Sequence, residues 1–348
     1  MRIATYNIEW FASLFDEDNQ LIKDNSWSGR HDVTKAQQAE AIAQVLRAVD
    51  ADAYMIIEAP NTGRKQNTIA ALDHFTDHYG LRQNTPIVGF TNNTQQEIAL
   101  LYDPTVLSAV HDPMGEESTA DQIHKAPRFD GVFQLDINVD DSPDQIEFSK
   151  PPLELVISPN QGPQFRMIGV HAKSKAPHGA RDERDAVRIS IQNRRKHLAQ
   201  SIWLRQRVDQ VLARDEHLIV LGDFNDGPGL DRYEELFGHS GVEIVMGESK
   251  QDAKKLYDPS AAMALQSHFS ASPTTARFYD HRTKTYLNAL LDYIMISESL
   301  KALGDHRWTI WHPFNHPECY QTPQLQKALL TASDHFPVTL DVDFSKTA

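Results

Sequence analysis

The chain has 348 residues, 40% of them hydrophobic, and 34 Lys and Arg against 48 Asp and Glu for a formal charge of −14. That is apolar enough for a sizeable core and too polar for a membrane protein, and no apolar run approaches the roughly 18 residues of a spanning helix. The net charge repels polyanions, so a nucleic-acid substrate would have to meet a local basic patch, and the single Cys319 excludes an intrachain disulfide.

Met1-Arg2 leads directly into a strand pattern at residues 3–8, without the apolar run of a signal peptide, so a cytoplasmic chain is expected. A long polar loop follows at 16–32. Thr34-Lys35-Ala36-Gln37 has the form of a capping box, after which Ala39, Ile42, Ala43, Leu46 and Val49 recur at helical spacing. Residues 53–57 read as a buried strand closed by Glu58. A second helix is expected at 68–79, with Ile69, Leu72 and Phe75 on one face and Gly80 as its stop. Residues 98–102 form a strand. The segments 133–139 and 153–157 are expected to pair as neighbouring antiparallel strands around a polar loop. The strand at 165–170 ends at His171, and a long helix at 185–213 carries Ile191, Leu198, Ile202 and Leu212 among its apolar positions.

The apolar run Leu218-Ile219-Val220-Leu221 stops abruptly at Gly222-Asp223-Phe224-Asn225. A short helix at 231–237, a strand at 290–297 holding Asp292, and a last strand at 338–344, right after Ser333-Asp334-His335, complete the pattern. The stretch 306–332, with two Trp, three His and three Pro, lacks clear periodicity and reads as a surface loop or as a loop shaping the mouth of a site. With no internal repeat and no linker, the chain reads as one domain, 1–348.

Asn7, Glu58, His171, Asp223, Asn225, Asp292 and His335 each lie at or beside an expected strand end, where sites collect in layered α/β folds. Asp223 and Asn225 are two apart, so on an extended strand end both face one side. A carboxylate there polarises water or holds a cation while the amide donates to an anionic oxygen; the same residues equally make a turn. Asn7 alone could cap a turn, and His171 alone could be a core histidine. Asp292 is harder to dismiss, because an unpaired carboxylate in an apolar strand is costly. A histidine is its natural partner, since the pair fixes tautomer and ring orientation, and Ser333-Asp334-His335 supplies one.

Thr-Tyr-Asn7-Ile-Glu-Trp, Ile-Ile-Glu58, Gly-Val-His171, Gly-Asp223-Phe-Asn225, Leu-Asp292-Tyr-Ile and Ser-Asp334-His335-Phe-Pro-Val resemble, in this order, the motifs of the endonuclease/exonuclease/phosphatase superfamily. That superfamily includes pancreatic-type deoxyribonucleases, apurinic endonucleases, neutral sphingomyelinases and inositol-polyphosphate phosphatases. The resemblance runs from residue 3 to about 340. It implies an α/β (α+β) four-layer α/β/β/α sandwich, two mixed, mostly antiparallel sheets flanked by helices, with a Mg²⁺-dependent site at one end of the sheets and Mn²⁺ as a substitute. It further implies that Glu58 is the principal metal ligand with Asn7 beside it, and that Asp334 touches a second metal. By the same resemblance Asp223 orients or deprotonates the attacking water and Asn225 donates to a phosphate oxygen. His335, partnered by Asp292, and His171 then contact the phosphate. Mg²⁺ takes oxygen ligands and keeps several waters, which suits this set.

From His171 to His197 eight Lys and Arg stand against three acids, a local net of +5. Most of these read as a solvated helix face, but Lys173, beside His171, is expected to face the substrate phosphate. Lys150-Pro151-Pro152-Leu153 resembles an Arg-Pro-Pro-Leu segment of bacterial nuclease-like members; lysine keeps the charge and loses the bidentate fork. The expected function is a divalent-metal-dependent phosphodiester hydrolase, a monomeric, endonuclease-like nuclease acting by in-line water attack. The alternative is a phosphatase or phosphodiesterase of a small-molecule or lipid phosphate ester. The acidic net charge favours the alternative and the His171-Lys173-Lys175 cluster favours the nuclease. A binding protein on the same scaffold would not need Glu58, Asp223, Asp292 and His335 together.

Overall fold

The computed structural model describes residues 1–91, 96–116, 126–136, 144–177, 179–227, 238–248, 250–266, 273–280 and 284–346. The short helix expected at 231–237 and the residues 137–139 of an expected strand lie outside these. In chain order the first part comprises β1 (Arg2–Asn7), α1 (Lys35–Val49), β2 (Ala53–Ala59), α2 (Thr68–Tyr79), β3 (Thr85–Val88) and β4 (Glu97–Tyr102). The middle part comprises β5 (Leu107–His111), β6 (Phe133–Leu135), β7 (Asp144–Ile146), β8 (Leu153–Pro159), β9 (Phe165–His171), α3 (Glu183–Leu212) and β10 (Leu218–Asp223). Then follow α4 (Gly241–Met246), β11 (Leu256–Tyr257), α5 (Pro259–Gln266), β12 (Ala276–Asp280), β13 (Thr285–Ala289) and β14 (Asp292–Ser297). The last elements are α6 (Glu298–Lys301), β15 (Arg307–Ile310), α7 (Pro317–Gln321), α8 (Pro323–Ala332) and β16 (Val338–Asp341).

Two six-stranded sheets run in the orders β15-β16-β1-β2-β4-β3 and β11-β14-β10-β9-β8-β5. Each holds one parallel pair, β1–β2 in the first and β9–β10 in the second; the other pairs are antiparallel. The strands read as continuous apolar runs because both of their faces are covered. Along β2, Tyr54 and Ile56 face a core shared with α1, α2 and α8, while Met55 and Ile57 face a core shared with the second sheet. Along β10, Ile219 and Leu221 enter that same central core, while Leu218 and Val220 pack with α3 and α4. Three apolar layers thus separate four structural layers, the α/β/β/α sandwich, and each buried Ile or Leu contributes roughly 1.5–3 kcal/mol. A Cβ on Gly169 would lie 2.4 Å from Met55 Sδ, so the sheets approach closely there because glycine leaves room.

The helices follow their local signals. Thr34 caps α1 in a capping box with Gln37, and Asn67 and Gly80 bound α2. Of the face expected on α2, Leu72 and Phe75 are buried but Ile69 is exposed, and Ala71 takes its place in the core. On α3 the buried stripe is Ala199, Trp203, Leu204, Val208 and Val211, whereas Ile191 is exposed. The N-terminal half of α3 therefore projects past the core.

Two expectations are corrected. The strands at 133–139 and 153–157 do not pair: β6 pairs with β7, and β8 lies between β5 and β9. Closeness in sequence suggested a hairpin, but β5 is an edge strand with alternating exposure and so carries little apolar signal. The stretch 306–332 is neither a surface loop nor a site mouth. It supplies edge strand β15 and helices α7 and α8, whose Cys319, Leu325, Ala328, Leu329 and Ala332 sit in the first core. The spacing of the last four is helical, but ten residues with a proline at the first turn give a short signal. No helix among the described residues is long and apolar enough to cross a membrane.

Candidate active site

The parallel pairs bring their C-terminal ends to one edge of the sandwich, and the antiparallel β14 and β16 begin at that same edge. In the second sheet Asp223 stands opposite both His171 and Asp292 in register. In the first, Asn7 ends β1 beside Ile57 of β2. The result is a cleft of about 860 Å³ between the sheet ends, lined by Asn7, Glu58, His171, Lys173, Asp223, Asn225, Asp334 and His335 together with Glu9, Lys150 and Lys175. Asp292 lies behind His335. All eight residues expected to form the site, and Lys173, converge here.

Local backbone sets each side chain. Glu58 is the extra residue of a β-bulge, where the β2–β4 register shifts between Ile57 and Ala59, and its φ is +63°. Regular alternation would turn it toward α1; the bulge aims it into the cleft. Gly222, at φ +139°, leaves no room for a Cβ, which would sit 2.0 Å from the Val170 carbonyl oxygen. Asn225, at φ +49°, closes a turn in which its backbone N–H donates to Asp223 Oδ1 at 2.7 Å.

Asp223 is the hub. Its Oδ2 accepts from Asn7 Nδ2 at 2.9 Å and from Asn225 Nδ2 at 3.1 Å, and His171 Nε2 is 3.8 Å away. Burial pushes this carboxyl up to about 6, with Asp292 adding repulsion and His335 opposing it. The Asn225 amide also donates to the Ala172 carbonyl, so its hydrogens hold Asp223 and the strand end rather than point outward. His335 Nδ1 lies 2.8 Å from Asp292 Oδ2, which turns Nε2 toward the cleft. Burial disfavours the imidazolium, but Asp292, Asp223 and Asp334 outweigh it and hold the His335 pKa well above its ordinary value. His171 is the reverse: burial and the nearby charges of Lys150, His335 and Lys173 keep it neutral.

Glu58 is pushed up to about 7, mainly by burial, with Asp223 and Asp334 adding repulsion. Asn7 Oδ1 is buried and has no hydrogen-bond partner among the described residues. An oxygen acceptor left open beside crowded carboxylates is a donor set for a hard divalent cation, which would relieve both the repulsion and the orphaned acceptor. Asp223, Asp292 and His335 also bring ligand atoms within 4.8 Å of one another, a second group able to hold an ion.

Sequence reasoning gave no role to Glu9 and Phe278. Glu9 bonds to Arg30 and to Trp10 Nε1, and burial and Asp334 raise its pKa. Its signal was available, since it stands two residues beyond Asn7, the spacing noted for Asp223 and Asn225. Lys150, noted in the Lys-Pro-Pro-Leu segment, lines the cleft, and burial lowers its pKa against the opposing charges of Glu58 and Asp223. Phe278 of β12 packs edge-on against His335, with ring centroids 5.5 Å apart. Lys175, by contrast, is tied to the buried Asp226.

Residues 4–335 match the Endonuclease/Exonuclease/phosphatase family. Among solved structures, the truncated Caenorhabditis elegans TDP2 is similar at 13% identity with a TM-score of 0.50, over 97% of this chain and 96% of that one. The human Nocturnin catalytic domain is similar at 14% identity and a TM-score of 0.49, over 98% and 94%. The mannosyl-6-phosphatase Bt3783 of Bacteroides thetaiotaomicron is similar at 14% and 0.48, over 98% of both chains. At these identities the likeness to TDP2 concerns the fold, and no curated protein matches the chain.

Proposed function

We propose, on the premise that this chain belongs to the Endonuclease/Exonuclease/phosphatase family, that it is a divalent-metal-dependent phosphoester hydrolase whose substrate is a phosphodiester of nucleic acid. The observation that carries the reading is the buried Asp223, held by two carboxamides and facing a cationic His335 across one cleft.

In this reading a water hydrogen-bonds to Asp223, which takes its proton as the oxygen attacks phosphorus; the ester P–O bond opposite breaks, and the departing alcohol oxygen takes a proton from solvent. Asn7 and Asn225 keep that carboxylate from rotating away. The His335 imidazolium, braced by Asp292, faces the phosphate oxygens and stabilises the charge that builds on them. Lys150 and Lys173 offset the remaining phosphate charge, and neutral His171 stands beside Asp223 as a hydrogen-bond donor. Glu58, Asn7 Oδ1 and Asp334 are the residues that would hold Mg²⁺. The cation supplies charge neutralisation and a template for in-line displacement.

The net charge of −14 supports the second reading, a small phosphate ester. Hydrolysis of single- and double-stranded DNA, RNA, inositol phosphates, sugar phosphates and sphingomyelin, each with Mg²⁺, separates the two. Turnover confined to the small or lipid esters would overturn the nucleic-acid reading.

A further inference from the structure

Trp10 is held in an uncommon way. Its backbone is left-handed, at φ +61°, a conformation few bulky residues adopt, yet 46% of its surface is exposed. This backbone turns the chain into the 3₁₀ turn Phe11–Leu14, whose Phe11 and Leu14 are buried, and leaves the indole half exposed. The ring is nevertheless fixed on several sides. Its Nε1–H donates to Glu9 Oε1 at 2.8 Å, and the other Glu9 oxygen is paired with Arg30, which in turn donates to the Leu330 carbonyl. The Trp10 carbonyl accepts from both the N–H and the hydroxyl of Ser13. Gly29 lies flat against one side of the indole: a Cβ there would come within 2.8 Å of ring atoms Cγ and Cδ2. A strained backbone, a pinned ring nitrogen and a covered face together make a rigid aromatic surface open to solvent.

Its position gives that surface a use. Trp10 lines the catalytic cleft and also a second lobe of about 570 Å³ beyond it, into which Asn61, Arg64 and Lys65 project. Lys65 pairs with Glu17 on the surface, whereas Arg64 pairs with no carboxylate among the described residues. Trp10 thus borders both spaces: the cleft holds Lys150 and Lys173 beside the carboxylates that would carry the cation, and the second lobe holds Arg64 and the Lys65–Glu17 pair. An oligonucleotide has the matching order: phosphate, base, phosphate.

We propose that Trp10 is a preformed stacking platform for an unpaired base adjoining the scissile phosphate, so that the preferred substrate is single-stranded nucleic acid. A base inside a duplex has both faces occupied by its neighbours; only an unstacked one can lie on the indole. This rests on the phosphodiester reading above and narrows it.

The test is equilibrium binding, in EDTA to prevent turnover, of a short thymidine strand, an abasic strand of the same length and a blunt duplex. Each is titrated with wild type, Trp10→Leu, which keeps bulk without a π face, and Trp10→Phe, which keeps an aromatic ring. Trp10→Leu is expected to weaken the base-bearing strand about tenfold and the abasic strand and duplex by less than about twofold, and Trp10→Phe to recover most of the loss. The wild-type indole fluorescence missing from Trp10→Phe is expected to be quenched by the thymidine strand only. Equal weakening of the base-bearing and abasic strands would mean that Trp10 meets the sugar, and no weakening of either would mean that it meets nothing; both overturn the proposal. If wild type cleaves single strands with Mg²⁺ while Trp10→Leu keeps its full base preference, this inference falls and the phosphodiester reading stands. If wild type neither binds nor cleaves any strand, both fall.

Discussion

His335 Nδ1 and Asp292 Oδ2 meet at 2.8 Å across the two sheets: Asp292 opens β14 of one, and His335 leads into β16 of the other. The pair is buried, and it couples the orientation of the ring to the packing of the sandwich. Replacing Asp292 with Asn keeps the shape and removes the charge. The His335 pKa then drops, and the imidazolium is lost at lower pH. Asp292→Asn and His335→Ala are each expected to lower the rate by at least about a hundredfold. For Asp292→Asn the alkaline limb of the pH–rate profile should also move toward lower pH. Rates within a few-fold of wild type, measured in single turnover, would remove the pair from the chemistry.

In this reading Asp223 is the group that accepts the proton of water. Asp223→Ala should cost at least about a hundredfold while leaving the far-ultraviolet circular dichroism unchanged. Asn7→Ala removes one brace of Asp223 and one oxygen for the cation, while Asn225 still holds Asp223. It should therefore cost activity that a higher Mg²⁺ concentration partly restores, whereas Asp223→Ala should show no such rescue.

The raised carboxyls make stability depend on pH in a particular direction. Glu58 lies at about 7 and Asp223 at about 6 in the folded chain, both above their ordinary values. A carboxyl that binds its proton more tightly when folded contributes stability at low pH, and that contribution is lost as pH rises from its unfolded to its folded pKa. In EDTA the Tm contribution of these two groups is therefore expected to fall between about pH 4 and about pH 7. Mg²⁺ binds the ionised forms, so it should raise Tm at about pH 8 and hardly at all at about pH 5. A Mg²⁺ increment independent of pH, read by calorimetry, would contradict the assignment of the cation to Glu58. Activity should rise through the same window, vanish in chelator and return with Mg²⁺ or Mn²⁺.

Away from the cleft, Arg207 ties α3 to the second sheet. It is fully buried, donates to Glu154 Oε1 at 2.5 Å and to the Pro127 carbonyl at 2.7 Å, and lies over the Phe129 ring. Arg207→Ala strands Glu154 without its cation and is expected to destabilise by about 3–5 kcal/mol. Urea unfolding checks this; a loss below about 1 kcal/mol would mean that water reaches Glu154.

Much of the site was legible because its residues punctuate apolar strands. A Glu after Ile-Ile, an Asp after Leu-Gly and an Asp inside Leu-Leu-Asp-Tyr-Ile break a pattern that burial otherwise enforces, so composition along the chain marks them. Helices with capping boxes and glycine stops were equally plain, since those signals act within a few residues. The sequence by itself therefore determined the strongly patterned strands and helices and which polar groups sit at their ends, but not the short elements at 107–111 and 306–332. Only the tertiary structure decided which ends meet. It paired β8 with β5 and β9 rather than β6, bulged the chain at Glu58 so that its carboxylate enters the cleft, and bound Lys175 to Asp226. It also folded the aromatic stretch before Ser333 into the first core. Those outcomes depend on contacts between residues far apart in the chain, where packing and charge pairing outweigh local preference and leave no local signature.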